Sequence, residues 1–214
     1  MVIAENVIRG NNYSVNIYRL NVTFDMRERA LDFATKIIRT DNQFSRLLPA
    51  QVWESNNLEL RQRIEIQRTY AGKIGEMVFR DLLRFRQKNV NTEGMFEIYE
   101  GQEHVDEFDF ITLNDKSVDV KTGFRTIHSR LLINIDQFNN LPKDYYVGVK
   151  LNGVDVDAEN KIIDLNSITE GIVYGYAEYE YLRNHTDVND YGEGPARAMQ
   201  YNRLLGIDRL VEMF

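Results

Sequence analysis

Two short stretches, EFDFITL (107–113) and SVDVKTG (117–123), carry the residue types best suited to chemistry. Both read as strands, in which side chains alternate between faces. In the first, Glu107, Asp109, Ile111 and Leu113 share one face, and Phe108 and Phe110 take the other. In the second, Asp119 and Lys121 share a face opposed by Val118 and Val120. Asn114-Asp115 occupies the short gap between them, so a hairpin is expected. That hairpin would set Asp109 beside Asp119, with Lys121 close by. Two adjacent carboxylates repel each other, and a bound cation relieves the repulsion. The chemistry these types suit is phosphodiester hydrolysis. It requires neutralising charge on the phosphate, activating a water and stabilising the leaving oxygen, and a divalent cation serves all three. Mg²⁺ takes oxygen ligands and keeps several waters, so two or three carboxylates with a free coordination face suit it. Lys121 can polarise the attacking water and offset charge near the phosphate.

A third carboxylate is expected from a helix. At about 100° per residue, Tyr70, Met77, Val78, Leu82 and Phe85 cluster around Ile74 as the main buried stripe. Gly72, Glu76, Phe79 and Leu83 fall together on the other side. A solvated glutamate would not share a row with these residues, so Glu76 is expected to point into a place that can satisfy a charge, such as a metal centre. Gly72, mid-helix, is expected to serve close backbone packing. A third row, Lys73, Arg80, Arg84 and Gln87, could contact phosphates flanking the cut bond. Singly, each feature has a plainer meaning. A D-x-K triplet is commonly an exposed strand face, and Asp109 alone could guard a sheet edge. Glu76 alone could pair with Arg80 for about 0.3–0.5 kcal/mol. The basic row alone reads as a solvated helix face. The combination, in this chain order, is what points to a site.

Gly75-Glu76 on the helix, Asp109 in EFDFI and Asp119-Val120-Lys121 in VDVKTG together resemble the PD-(D/E)xK nuclease superfamily, which includes type II restriction endonucleases, Holliday-junction resolvases and repair nucleases. The resemblance covers about half the chain. It implies an α/β fold with a mixed-sheet, restriction-endonuclease-like αβββαβ core over about 67–184, and N- and C-terminal additions (1–57 and 185–214) for dimerisation or DNA recognition within a single nuclease domain. It implies that Asp109 and Asp119 bind Mg²⁺ with help from the Val120 carbonyl, that Mn²⁺ substitutes, that Lys121 orients or activates water and that Glu76 supports the metal. Phe108 stands where the family pattern has proline. The implied activity is a sequence-specific endodeoxyribonuclease acting on double-stranded DNA as a homodimer, with a cognate methyltransferase on the same site. A junction-resolving or repair nuclease would use the same residues. A non-catalytic interaction module on a degenerate nuclease fold is the alternative of a different class.

The elements that must position these residues follow from pattern. A strand is expected at 13–24 and a helix after the D-x-x-E signal of Asp25 and Glu28. A polar connection over 41–57 holds Pro49 and Trp53, and a long helix covers about 58–88. Further strands are expected at 95–99, 107–113, 117–124, 144–151 and 171–176, with a helix near 178–184. Residues 131–141 read equally as strand or short helix, 152–161 as turn-rich and 185–194 as loop; Pro195 suits the first position of a final helix. The chain of 214 residues, 43% hydrophobic, is long enough to bury one sizeable core. Without cysteine it has no disulfide, thiolate chemistry or cysteine-held metal, and His104, His128 and His185 share no metal-ligand spacing. Residues 25–90 carry a net charge of +4 and residues 91–190 one of −12. Such a bias commonly marks solvated faces, and it also suits one surface for phosphates and another for a cation. The start lacks the apolar run of a signal peptide and no stretch approaches a membrane span, so a soluble, cytoplasmic protein is expected.

Overall fold

The computed structural model describes residues 1–10, 13–39, 57–98, 109–192 and 194–214. Runs of β-branched and aromatic residues form the strands: β1 (Val2–Arg9), β2 (Tyr13–Asn21), β3 (Phe110–Ile111), β4 (Ser117–Gly123), β5 (Arg130–Asn134), β6 (Tyr145–Leu151), β7 (Val154–Asp157), β8 (Ile162–Asp164), β9 (Glu170–Glu178), β10 (Val188–Asp190) and β11 (Pro195–Gln200). The helices are α1 (Phe24–Arg39), α2 (Leu58–Phe85), α3 (Ile135–Asn140), α4 (Tyr179–His185) and α5 (Ile207–Val211). The main sheet has the order β1-β2-β9-β6-β4-β3, and a second sheet the order β10-β11-β5. In the main sheet β4 and β6 run parallel, and every other neighbouring pair is antiparallel. The protein is a mixed α/β structure built on a mixed sheet.

Alternation on β4 and β6 divides the core in two. Val118, Val120, Val147 and Val149 join Ile74, Met77, Val78, Phe79, Leu82 and Leu83 of α2 in one apolar cluster. Tyr146 and Ala177 point the other way, into a cluster with Leu131, Ile133, Phe138, Leu182 and Met199. The sheet is therefore sandwiched, with α2 on one face and β5, β11, α3 and α4 on the other. α1 packs against α2 through Met26, Ala30 and Ala34, at helical spacing.

Local chemistry explains where sequence pattern and structure part. Thr23, not Asp25, caps α1: its Oγ1 accepts from the Met26 N–H at 3.3 Å. Residues 131–141 are strand and helix in turn, and the switch is Asn134, whose Oδ1 accepts from the Asp136 and Gln137 amides at 2.9 and 3.3 Å. The strand expected at 95–99 is replaced, over its described residues, by turns closed by Met95 N–H to Thr92 at 3.3 Å and Glu97 N–H to Gly94 at 3.0 Å. Pro195 opens a strand rather than a helix, because the first residue of a strand needs no N–H and Ala196–Gln200 find partners on β5. The 185–194 loop contains β10. The close packing expected of Gly72 belongs to Gly75. A Cβ on Gly72 would meet nothing within 4 Å, whereas one on Gly75 would overlap Thr122 of β4. Phe85, placed in the buried stripe, is 55% exposed. The hairpin β1–β2 extends the main sheet through β9, and α5 packs into its core, so the ends of the chain are integral to the architecture. The 41–56 connection and residues 107 and 108 of the expected strand lie outside the described residues. Among the described residues, no helix is long and apolar enough to cross a membrane.

Candidate active site

The β3–β4 hairpin forms as the alternation requires. Phe110 pairs with Val118 and Ile111 with Ser117, and the Asp109 N–H reaches the Val118 carbonyl at 3.1 Å. Continuing that register sets Asp109 opposite Asp119. The turn closes through Thr112 and Lys116, with Asp115 at φ 58°, a left-handed position that Asp tolerates. Asp109 Oδ2 accepts from the Val120 N–H at 2.6 Å. Within a strand the N–H and C=O of a residue face the same edge, so the Val120 carbonyl also faces the side on which Asp109 lies.

Asp109 is the electrostatic centre. Removal from water, then the charges of Glu76 and Asp119, push its carboxyl well above the ordinary carboxylate range; Lys73 and the Val120 N–H pull it part of the way back. The charges of Glu76 on α2 and of Asp119 on β4 thus both act on one carboxyl group.

Each flanking carboxylate has an ammonium neighbour. Lys73 Nζ donates to Glu76 Oε2 at 2.7 Å, both side chains being almost fully buried, and the same ammonium lies 5.0 Å from the centre of the Phe33 ring. Lys121 Nζ stands 2.6 Å from Asp119 Oδ2, off the hydrogen-bonding direction, so that this buried oxygen has no hydrogen-bond partner. Lys121 gives its hydrogen bond to Gln137 Oε1 of α3, at 2.8 Å. Tyr146, the β6 partner of Asp119, is pushed up to about 12 by burial, opposed by the Lys143 N–H and reinforced by the charge of Asp119.

The predicted phosphate-contacting row divides in the structure. Lys73 is turned into the Glu76 pair, and Arg80 is buried with its Nε 2.8 Å from Asp81 Oδ1. Arg84 is the exposed cation of the row, 3.9 Å from the same carboxylate, and Gln87 is exposed beside it. Nothing in the sequence singles out Gln137: it falls where strand and helix patterns are equal, and no charge or motif marks it.

Among the described residues, the donors around Asp109 are oxygens: the carboxylates of Asp109, Asp119 and Glu76 and the carbonyl of Val120. Oxygen-only donors suit a hard cation. The orphaned Asp119 Oδ2 and the raised Asp109 carboxyl are what a site relieved by a cation would show. Among the described residues no three acidic or histidine side chains are grouped closely enough to hold a metal ion. Asp109, Asp119 and the Val120 carbonyl are the oxygens that the β3–β4 register brings to one place, and Glu76 is paired with Lys73.

Compared with protein-family models, curated proteins and solved structures, the chain matches none.

Proposed function

We propose that the protein is a divalent-cation-dependent endodeoxyribonuclease with a restriction-endonuclease-like core. The reading is carried by one observation: Asp109 feels the charges of both Glu76 and Asp119, while Lys121 stands 2.6 Å from Asp119. The chain order of α2, β3, β4 and a parallel β6 is in keeping with an αβββαβ core over about 67–184. Asp109, Asp119 and the Val120 carbonyl would hold Mg²⁺, or Mn²⁺ in its place, with Glu76 supporting them. The ion, when bound, would supply charge neutralisation at the phosphate and an acidified water. The remaining work belongs to the chain. Lys121, steered by Gln137, orients the attacking water and offsets charge on the phosphate. Lys73 holds Glu76 in a buried ion pair. Arg84 offers an exposed cation to flanking phosphates. The substrate we infer is double-stranded DNA, cut at a specific sequence by a two-fold dimer in the cytoplasm, with a cognate methyltransferase protecting the site.

Incubation with plasmid DNA and Mg²⁺, followed by sequencing of the ends, tests this. Discrete ends are expected from the native protein and none from Asp119→Ala or Lys121→Ala. Preference for a four-way junction over linear duplex would move the assignment to a junction-resolving nuclease. A second reading is a non-catalytic interaction module on a degenerate nuclease fold. Titration with Mg²⁺ and Mn²⁺ separates them: on this second reading neither ion raises the melting temperature.

A further inference from the structure

A second charged cluster lies farther along β4, and its sign is opposite. β4 and β6 run parallel with Gly123 opposite Lys150, both near the carboxyl ends of their strands. That end of an open α/β sheet is where ligands bind. The loop after β4 turns back over it. A Cβ at Gly123 would lie 2.5 Å from Tyr201 Oη and 3.0 Å from His128 Cβ, so glycine is what lets His128 sit against the strand.

His128 is locked in one tautomer. Its Nδ1 accepts from the Phe124 and Arg125 amides at 3.1 and 3.3 Å, which leaves the proton on Nε2 as a donor. Lys150 donates to the Arg125 carbonyl, which uses one of the ammonium's three N–H groups. Arg125 is buried, with Nε 2.6 Å from Asp155 Oδ1 and a second contact to the Ala158 carbonyl at 3.4 Å. Lys150 and Arg125 thus share the single charge of Asp155, and Arg68 of α2 adds to the positive field at His128. Among the described residues, a partly buried surplus of cations stands beside a fixed imidazole donor, which is what an oxyanion would complete.

We propose that Lys150, His128 and Arg125 form an oxyanion site that takes a phosphate group of the nucleic-acid backbone flanking the cut. The oxyanion site stands on its own geometry; its assignment to the nucleic-acid strand rests on the nuclease reading. Gly123 lies two residues beyond Lys121 on the same face of β4, roughly 7 Å at about 3.3 Å per residue. Burial, opposed by Asp155 and aided by Arg125, lowers the Lys150 ammonium to about 8. Burial and the charges of Lys150, Arg125 and Arg68 lower His128 to about 4. A bound anion opposes both shifts.

The test is ring NMR of histidine-labelled full chain, without divalent metal, titrated with inorganic phosphate; His128→Asn assigns the signal. A saturable shift of the His128 ring is expected, with its titration midpoint rising by about one unit, and sodium chloride at equal ionic strength should not reproduce it. Lys150→Gln should weaken phosphate binding about tenfold. No shift in the native protein, or an equal shift with chloride, overturns the site, whether or not the variant folds. Asp119→Asn protein should keep the phosphate response while losing cleavage, so loss of the nuclease reading and loss of this site are separate results. In that inactive protein a short oligodeoxynucleotide should also move the His128 signal. A response to free phosphate but not to the oligonucleotide overturns the assignment to the strand.

Discussion

The middle and the carboxyl end of β4 present the same problem with opposite sign. Around Asp109 and Asp119, negative charges are crowded in a partly dry setting, and the Asp109 carboxyl rises in response. Around Lys150 and His128, positive charges are crowded, and both groups fall. The cause is common: low polarizability makes each like charge costly. The remedies differ. At the acidic end two lysines from the chain itself, Lys73 and Lys121, stand against the carboxylates. At the basic end Asp155 serves two cations. On the proposed reading each end would be completed by a ligand of opposite charge, and a phosphodiester with a divalent cation carries both.

The largest effect expected is on catalysis. Lys121→Ala and Asp119→Ala should each lower the cleavage rate by about 10³-fold or more in single-turnover assays, in the range of lost charge stabilisation and proton transfer. Cleavage at the native rate by either variant would remove the acidic end from the chemistry. Gln137→Leu should act more mildly, about tenfold, because it loosens the Lys121 ammonium without removing it; full activity would make the contact incidental.

Stability should change next, and it tests the packing that brings α2 to β4. Gly75→Ala forces a methyl group into Thr122 and should cost about 1–3 kcal/mol in urea unfolding. Gly72→Ala, three residues earlier, meets nothing and should stabilise by about 0.5–1 kcal/mol.

The pH dependence distinguishes the two ends most directly. Asp109 has a folded pKa above its unfolded one, so the native state holds the extra proton. Its stabilising contribution is present below the ordinary carboxylate range and is lost as pH rises through the folded value. In metal-free protein at neutral pH, Asp109→Asn should therefore raise the melting temperature, by about 2–4 °C for each kcal/mol of repulsion removed, and abolish any rise with Mg²⁺. Lys150 has a folded pKa below its unfolded one, so there the unfolded state binds the extra proton. Its contribution to stability should grow as pH rises through about 8 toward the ordinary lysine range, and Lys150→Gln should flatten that slope. Slopes of the same sign at both ends would break the comparison.

Period and residue type alone were enough for several elements. Alternation in SVDVKTG and the apolar run YYVGVK correspond to β4 and β6 to within a residue, because a strand covered on both faces reads as a largely apolar run. Helical spacing located α2 and put Glu76 among buried residues. The same periodicity, with the short turn at Asn114-Asp115, is enough to set Asp109 against Asp119. Other features were settled only by tertiary contact. Pro195 lacks a local pattern strong enough to outweigh what its neighbours offer, a partner strand on β5. Gly72 and Gly75 look alike in the chain, and only the approach of Thr122 tells them apart. Lys73 reads as a surface cation until Glu76 takes it inward, and Gln137, His128 and Lys150 carry no motif at all. Spacing along the chain fixes which face a side chain takes; what it meets there depends on elements tens of residues away, and that is decided only when the layers pack.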